Sequence, residues 1–206
     1  MHTIAILSQK GGTGKTTLAL HLAVAAEKDG QSTVVVDLDP QASAAGWKDT
    51  RPHETPVVVP TPSARLAQAL EAARKGRAAL VLIDSAPHSG DDALAAAEAA
   101  DLILIPCRAA ILDLRAIATT ARIAKLAGKP VFVVLNAVPP RATRVLEDAS
   151  KAVAVHELKV APVSLQQRAA YAHALTVGKT AQEYEPESRA ADEITRLYRW
   201  LKKELD

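Results

Sequence analysis

The feature that most constrains this chain is an apolar run joined directly to a glycine-rich loop and then to a helix-forming segment. Residues 2–8 are mostly apolar, residues 9–17 read Gln-Lys-Gly-Gly-Thr-Gly-Lys-Thr-Thr, and residues 18–26 are rich in Leu and Ala. This order predicts a strand, a loop and a helix, which is the context in which glycine-rich loops bind phosphate. The glycines let backbone N–H groups turn toward a phosphate chain, and the helix N-terminus adds positive potential.

Two side chains of the loop have a predicted role in nucleotide binding. Lys15 is placed to reach the β- and γ-phosphates, and the hydroxyl of Thr16 is placed to ligate Mg²⁺. The alternative is a glycine-rich turn that only precedes a core helix. The predicted nucleotide-binding residues of the loop are Gly11, Gly12, Thr13, Gly14, Lys15, Thr16 and Thr17.

A second lysine, Lys10, stands at the start of the box Lys-Gly-Gly-Thr-Gly-Lys-Thr. This box resembles the deviant Walker A motif of the ParA/MinD superfamily of ATPases. The resemblance implies ATP and Mg²⁺ as ligands, an ATP-dependent homodimer, and a Lys10 that reaches the phosphates of the partner subunit. An arginine supplied in this way raises the rate by about 10³–10⁵ in related enzymes. Lys10 and Lys15 are therefore predicted catalytic residues, and the alternative for Lys10 is a solvated loop lysine.

Two further apolar runs, residues 33–39 and 79–84, end in carboxylates. Continuous apolar runs are typical of strands buried on both faces, and ligands bind at the carboxyl ends of parallel strands. By the same resemblance, Asp39 in switch I polarises the attacking water, Asp37 supports the metal site, and Asp84 is the Walker B carboxylate that holds Mg²⁺. The alternative for Asp39 is that it starts a turn or caps the next helix.

The rest of the chain continues the alternation of strands and helices. This alternation predicts an α/β protein of the P-loop NTPase class, with a doubly wound, mainly parallel sheet and helices on both faces. We expect a single ParA-type domain over residues 1–206. The further predicted strands are 57–59, 102–106, 131–136 and 160–163, and the further predicted helices are 64–75, 91–100, 114–126, 141–153 and 188–205.

Asn136 ends one of the predicted strands. In the family that the chain resembles, this position recognises adenine, and a side-chain amide can match the donor and acceptor edge of that base. The alternative is an asparagine that serves the turn after the strand.

Composition limits the range of functions. The only cysteine is Cys107, which excludes an internal disulfide and a cysteine-ligated cluster held by one chain. Aromatic residues make up 3%, too few for a stacking platform on single-stranded nucleic acid. We find no signal peptide and no apolar run near the roughly 18 residues of a membrane span, so we expect a cytoplasmic protein.

Positive charge is concentrated in the second half of the chain. Residues 1–100 hold 9 Lys and Arg against 11 Asp and Glu, whereas residues 101–206 hold 16 against 12. Such asymmetry is compatible with a basic face that meets an anionic polymer, although scattered surface charge gives the same count. The candidate DNA contacts are Arg141, Arg144, Arg168, Arg189 and Arg196.

The last predicted helix, residues 188–205, has an apolar stripe that includes Ile194, Leu197 and Leu201. Three interpretations compete: the stripe docks on the sheet, the helix presents a basic face to DNA, or it is an amphipathic membrane anchor as in MinD. Docking is the ordinary fate of such a stripe. An anchor would have a more uniformly basic polar face, and Glu193 is one of several acids that interrupt it.

The resemblance implies a DNA-partition ATPase of the compact class, without an N-terminal helix-turn-helix domain. ATP would drive dimerisation, the dimer would bind nonspecific duplex DNA on the nucleoid, and a small centromere-binding protein would stimulate hydrolysis. A MinD-like regulator on the membrane is the alternative, but we do not expect a membrane partner. A third alternative is a metabolic or electron-transfer enzyme on the same scaffold, such as the nitrogenase iron protein. The single Cys107 counts against it, because a cluster shared by two subunits needs two cysteines from each.

Overall fold

The computed structural model describes residues 1–87 and 89–205, with residues 111–116 described only as helix backbone. A seven-stranded sheet forms its centre, and every strand pairing in the described part of the chain is parallel. The strands are β1 (His2–Ile6), β2 (Thr33–Asp37), β3 (Val57–Pro60), β4 (Leu80–Asp84), β5 (Leu102–Arg108), β6 (Val131–Asn136) and β7 (Lys159–Val160). Their spatial order in the sheet is β3-β2-β4-β1-β5-β6-β7.

Helices cover both faces of the sheet, which confirms the predicted doubly wound α/β fold. The helices are α1 (Lys15–Lys28), α2 (Ser43–Thr50), α3 (Leu66–Lys75), α4 (Gly90–Ala99), α5 (Ile111–Ala127), α6 (Thr143–Ala154), α7 (Ala169–Thr176), α8 (Ala181–Tyr184) and α9 (Arg189–Leu205). One core layer lies between the sheet and α1, α2, α7, α8 and α9, and the other lies between the sheet and α3, α4, α5 and α6.

The strand β1 lies between β4 and β5, so the loop that follows it opens at the middle of the sheet. Every residue of β4 is buried, as the continuous apolar run predicted. The register places Asp84 beside Ile6 on one neighbouring strand and beside Asp37 on the other. Two acidic strand ends and the start of the glycine-rich loop therefore meet at one edge of the sheet.

The helix α9 docks its apolar stripe on the protein, as predicted from its periodicity. Ile194, Leu197 and Leu201 are buried in the core that α9 shares with α1. Trp200 adds an edge-to-face contact with Phe132 on β6, with ring centroids 4.9 Å apart. A membrane anchor would have to withdraw these side chains from the core, so this packing argues against the anchor interpretation. Within the described ranges, no helix combines the length and the apolar character that crossing a membrane requires.

Three differences from the sequence-based expectation concern short elements. The segment before the edge strand β3 contains the helix α2, which we did not predict. The strand predicted at 160–163 is only Lys159–Val160, because Pro162 has no N–H to donate to a ladder. Two short helices, α7 and α8, occupy the stretch before α9, where the sequence predicted none.

Candidate active site

The loop between β1 and α1 has the backbone conformation that its glycines allow. Gly12 and Gly14 have φ values of 72° and 95°, in the left-handed region that L side chains rarely adopt. A β-carbon on Gly14 would also lie 2.3 Å from Nδ2 of Asn136, a distance that no side chain tolerates. The backbone angle therefore favours glycine at position 14, and a β-carbon there would also displace the side chain of Asn136.

Asn136 supports this loop from the end of β6. Its Nδ2 donates to the backbone oxygen of Thr13 at 2.8 Å, and its Oδ1 accepts from the N–H of Ala137 at 2.8 Å. Both atoms of the amide are thus engaged within the protein, as the strand-end alternative anticipated. Recognition of adenine by Asn136 stays a prediction, for which its second N–H and the second lone pair of Oδ1 would be used.

Asp84 is the central charged group of the site. Its side chain is completely buried, and neither of its carboxylate oxygens has a hydrogen-bond partner in the described part of the chain. The pKa of Asp84 is raised to about 7, chiefly by burial and also by the charge of the neighbouring Asp37. The Thr16 hydroxyl and Lys15 lie near enough to lower that pKa, but neither meets hydrogen-bond geometry with the carboxylate. A buried carboxylate without donors is costly unless another ligand completes its environment.

Lys15 lies at the start of α1 with its side chain buried. Burial lowers the pKa of Lys15, while the nearby carboxylates of Asp84 and Asp39 act in the opposite direction. A phosphate chain in the loop would bring negative charge to this ammonium group and reverse the effect of burial.

The residues present fit a magnesium ion that is held together with nucleotide phosphates. Within residues 1–87 and 89–205, no group of three or more His, Cys, Asp or Glu side chains is arranged to hold a metal by itself. Mg²⁺ usually binds one or two carboxylates and completes its octahedron with water and substrate phosphates. The donor-free carboxylate of Asp84, with the Thr16 hydroxyl beside it, offers that kind of incomplete oxygen site.

The carboxylate of Asp37 holds the turn between β2 and α2 through backbone hydrogen bonds. Its Oδ1 accepts from the N–H of Asp39 at 3.1 Å, and its Oδ2 accepts from the N–H groups of Ala44 and Ala45 at 3.0 and 3.2 Å. The carboxylate therefore binds the N-terminus of α2 and shapes the loop that carries Asp39. These hydrogen bonds make Asp37 a positioning residue for that loop, and its predicted support of the metal site stays a prediction.

Asp39 stands at the turn that leads from β2 to α2. Its Oδ1 accepts from the N–H of Gln41 at 2.9 Å, and its backbone oxygen accepts from Ala42 at 2.8 Å. The turn alternative is thus correct as a description of the local structure. Its charge also acts on Lys15 and Asp84, so the same residue lies within electrostatic reach of the site. Its catalytic role stays a prediction.

Lys10 lies on the other side of the loop, toward β5. Its backbone oxygen accepts from the hydroxyls of Ser8 and Thr13, both at 3.4 Å, and these contacts close the loop on itself. Burial raises the pKa of the Cys107 thiol to about 11, and the charge of Lys10 acts against that shift. Lys10 is therefore near the end of β5, and its reach toward a partner subunit stays a prediction.

Arg108 is a residue of the site that the sequence interpretation missed. It ends β5, pairs in register with Asn136, and is exposed. Its Nη2 lies 3.7 Å from the point where a β-carbon on Gly12 would stand, so the guanidinium lies against the loop. The signal was available in the sequence, because Arg108 ends an apolar strand just as Asp37, Asp84 and Asn136 do.

The five candidate DNA contacts have unequal surroundings. Arg168 donates from Nε and Nη2 to Oε1 of the buried Glu193, at 2.9 and 2.6 Å, and Nη2 also reaches Gln166. This ion pair neutralises its charge, so we withdraw Arg168 from the DNA-contact set. Arg196 is exposed but forms an ion pair with Asp192 at 3.0 Å. The remaining exposed candidates are Arg141, Arg144 and Arg189.

Comparison with known proteins agrees with this geometry. Residues 4–181 match the CobQ/CobB/MinD/ParA nucleotide binding domain. The chain is 32% identical over 211 residues to the maintenance of carboxysome distribution protein A of Gloeobacter kilaueensis, with 95% of each protein covered. It is 30% identical to the protein of the same name from Halothiobacillus neapolitanus, covering 95% of this chain and 94% of that one. The Pyrococcus furiosus cell division ATPase MinD shares the fold, with a TM-score of 0.77, 24% identity and 98% of both chains covered.

Proposed function

The chain belongs to the CobQ/CobB/MinD/ParA nucleotide-binding family, and from that premise we propose that it is a Mg²⁺-dependent ATPase that positions a cellular cargo. The observation that carries the proposal is the donor-free, buried carboxylate of Asp84 beside the buried ammonium of Lys15, at the mouth of a glycine-rich loop. Both groups are poorly satisfied by the protein alone. A magnesium ion and a phosphate chain would satisfy them together.

In the proposed reaction, the residues of this chain bind, orient and stabilise charge. Thr16 and Asp84 would hold Mg²⁺, which would supply charge neutralisation on the β- and γ-phosphates when bound. Lys15 would contact the same phosphates, and the loop N–H groups would cradle them. Asp39 would orient the attacking water, with its loop held by the carboxylate of Asp37. Lys10 of one subunit would stabilise the transferring phosphoryl group in the other.

We also propose that residues 1–206 act as one domain that dimerises on ATP and binds duplex DNA without sequence preference. The positive balance of the second half supports this, with the exposed side chains of Arg141, Arg144 and Arg189 as candidate contacts. A dimer doubles these charges on one particle, and affinity for DNA rises steeply with the number of phosphates neutralised. The protein would then be cytoplasmic and associated with the nucleoid. A small DNA- or cargo-bound partner would stimulate hydrolysis and release the dimer.

The cargo that the comparisons favour is a large protein assembly. Both relatives that match over at least 94% of their length are named for carboxysome distribution. A chromosome-partitioning ATPase, Soj of Thermus thermophilus, matches over 48 residues that cover 23% of this chain. Plasmid or chromosome partition with a centromere-binding partner is therefore the second candidate cargo system.

The membrane-bound regulator is the alternative positioning system, and a single preparation can test both. We expect the protein with a nonhydrolysable ATP analogue to bind random-sequence duplex DNA, and the ADP-bound protein to bind far less. Each lost phosphate contact should reduce the slope of log affinity against log salt by about 1. Arg141→Ala, Arg144→Ala and Arg189→Ala are the test variants. Arg74→Ala is the matched control, because Arg74 is an exposed arginine already paired with Glu71.

ATP-dependent binding to anionic liposomes without binding to DNA would refute the partition mechanism and support the membrane regulator. Absence of ATP hydrolysis, with or without DNA and cargo partner, would refute the proposed ATPase itself. Binding to DNA that is equally strong with ADP would refute the nucleotide switch while leaving the nucleotide site in place.

A further inference from the structure

Arg108 adds a third cation to a site in which the sequence motif supplies two. Its neighbour in the sheet register, Asn136, donates to the backbone of Thr13 in the glycine-rich loop. The guanidinium of Arg108 lies against Gly12 of the same loop. The ends of β5 and β6 thus contact the glycine-rich loop. The end of β6 contributes the amide of Asn136, and the end of β5 contributes the guanidinium of Arg108.

The two side chains differ in how far their polar atoms are engaged. The amide of Asn136 has partners on both atoms within the protein. Arg108 is exposed, and its guanidinium makes no hydrogen bond or ion pair with the residues that the structure describes. It is therefore available to an anion that enters the loop. An arginine offers five N–H donors in a fixed fork, a geometry that suits two phosphate oxygens at once.

The charges of the site leave room for such a cation. The carboxylates of Asp39 and Asp84 act electrostatically on Lys15, and that of Asp37 acts on Asp84, so the acidic groups outnumber that lysine. A nucleoside triphosphate adds about four negative charges, of which one divalent ion neutralises two. A guanidinium beside the loop would reduce the remaining repulsion where the phosphate chain enters.

We propose that Arg108 binds the phosphate chain of the nucleotide held in its own subunit and sets the preference for nucleotides with more phosphates. The inference rests on the proposed function only for the identity of the ligand as a nucleotide. It differs from the role of Lys10, which the resemblance assigns to the partner subunit's phosphates. Arg108 acts in the same chain, because Gly12 of that chain is the backbone it lies against.

The test is the affinity of Arg108→Ala for ATP, ADP and AMP, measured by calorimetry with sedimentation in parallel to record the oligomeric state. Hydrogen bonds to charged groups are worth about 1.5–3 kcal/mol, so we expect ADP and ATP to bind about ten-fold or more weakly to the variant. AMP should bind unchanged. Arg108→Lys should recover part of the loss, because it keeps the charge without the fork.

Arg199→Ala is the matched control, since it removes the same charge from an exposed arginine. Arg199 lines a cleft with Lys28 at the far end of α1, about 20 Å from the loop by the length of a 14-residue helix. It should leave all three affinities unchanged. Thermal unfolding of Arg108→Ala without nucleotide should match the wild type, because the side chain is exposed.

Equal weakening for AMP, ADP and ATP would overturn the proposal in favour of an effect on loop shape. ADP affinity that is unchanged in the monomer, with a loss confined to the ATP-bound dimer, would assign the guanidinium to the partner's nucleotide and overturn it as well. A wild type that binds no nucleotide would refute the proposed function along with this inference. A wild type that binds ATP but neither DNA nor membrane would leave the inference standing.

Discussion

Two buried carboxylates in this protein have opposite surroundings. Asp84, at the nucleotide edge of the sheet, has no hydrogen-bond donor among the described residues. Glu193, on α9, accepts from the N–H of Gln166 at 3.1 Å, from Arg168, and from the hydroxyl of Tyr171 at 2.8 Å. The first carboxylate is left for a ligand, whereas the second is fully used to hold the C-terminal helices together. Among the described residues, the buried carboxylate at the nucleotide site thus lacks hydrogen-bond partners, whereas the buried carboxylate that stabilises the packing of the C-terminal helices has several.

The contrast extends to the packing around each group. Near Glu193, the scaffold continues through the buried ion pair of Arg51 and Glu183, at 2.7 Å, and through Trp47, whose ring lies 4.6 Å from the Arg51 guanidinium. The indole N–H of Trp47 donates to the backbone of Lys179. The charged side chains Arg51, Glu183 and Glu193 find partners in this region, whereas Oε1 of Gln182 on α8 is buried without a partner among the described residues. At the carboxyl ends of β2 and β4, by comparison, Asp84 and Lys15 affect each other's pKa, yet the Asp84 carboxylate has no hydrogen bond within the described part of the chain.

The prediction with the largest expected effect concerns Lys10 and tests whether a second subunit contributes a side chain to the nucleotide site. Lys10→Ala should bind nucleotide as a monomer but lose ATP-dependent dimerisation, and its turnover should fall by about 10³ or more, as for cations supplied in trans. Sedimentation with a nonhydrolysable analogue and steady-state hydrolysis measure the two effects. Lys75→Ala on the surface of α3 is the control, because Lys75 lies in an exposed cluster with Glu71. A full dimer with normal turnover would refute the role in trans.

The next effect tests the scaffold. Glu193→Ala leaves Arg168 and Tyr171 without their shared acceptor, and breaking a buried pair costs about 3–5 kcal/mol. We expect about 3 kcal/mol, because the Arg168 side chain is 21% exposed and can turn to water. Denaturant unfolding measures the loss. Exposed Glu204, on the same helix, provides the control Glu204→Ala, which should change stability by less than about 0.5 kcal/mol. A similar loss in both variants would contradict the special status of Glu193.

A third prediction concerns the pH dependence of stability, which a buried histidine of the structural core should determine. His21 is completely buried, its Nε2 accepts from the N–H of Ala181 at 3.1 Å, and its Nδ1 lies 2.7 Å from the backbone oxygen of Thr17. These partners require a neutral ring with its proton on Nδ1. Burial lowers the pKa of His21 to about 4 from 6.5, so the unfolded chain binds this proton more readily than the folded one.

The contribution of His21 to stability is thus fully present above pH 6.5 and is lost as the pH falls toward 4. The slope approaches about 1.4 kcal/mol per pH unit in that window, and the total is about 3 kcal/mol. Unfolding at several pH values should show this slope in the wild type and in His173→Gln, since His173 is exposed. His21→Gln should lack it. Parallel curves for the two variants would show that His21 titrates normally.

The smallest effect has the opposite sign. Asp84→Asn removes a buried charge that no donor satisfies, so we expect the protein without nucleotide to become more stable by about 1–2 kcal/mol at pH 8. The same variant should lose Mg²⁺-dependent nucleotide binding. Glu193→Gln, by comparison, should be less stable than the wild type. A destabilised Asp84→Asn would show that its carboxylate already has a structural function.

The sequence predicted those features that depend on local residue type, such as buried strands and glycine-rich turns. The strand ends that carry Asp84 and Asn136, and the glycines at positions 12 and 14, followed from apolar runs and backbone freedom. The helix α2 did not follow, because its N-terminus is bound by the carboxylate of Asp37 across the intervening turn. The ion pair of Arg168 was equally invisible, since its partner Glu193 is 25 residues away in the chain. Periodicity reports burial, whereas pairing between distant charges is decided only by the packed structure.

The sheet order has a consequence for how the protein is made. The strand β1 is synthesised before both of its neighbours in the sheet, β4, Leu80–Asp84, and β5, Leu102–Arg108. The strand that leads into the phosphate loop therefore stays unpaired until β4 and β5 have been synthesised, and its apolar side chains are exposed for that time. At synthesis rates of about 5–20 residues per second, this interval lasts roughly 5–20 s. A nascent chain of this protein should accordingly be a good client for chaperones that recognise apolar strands, and it should gain nucleotide binding only after β4 and β5 have emerged.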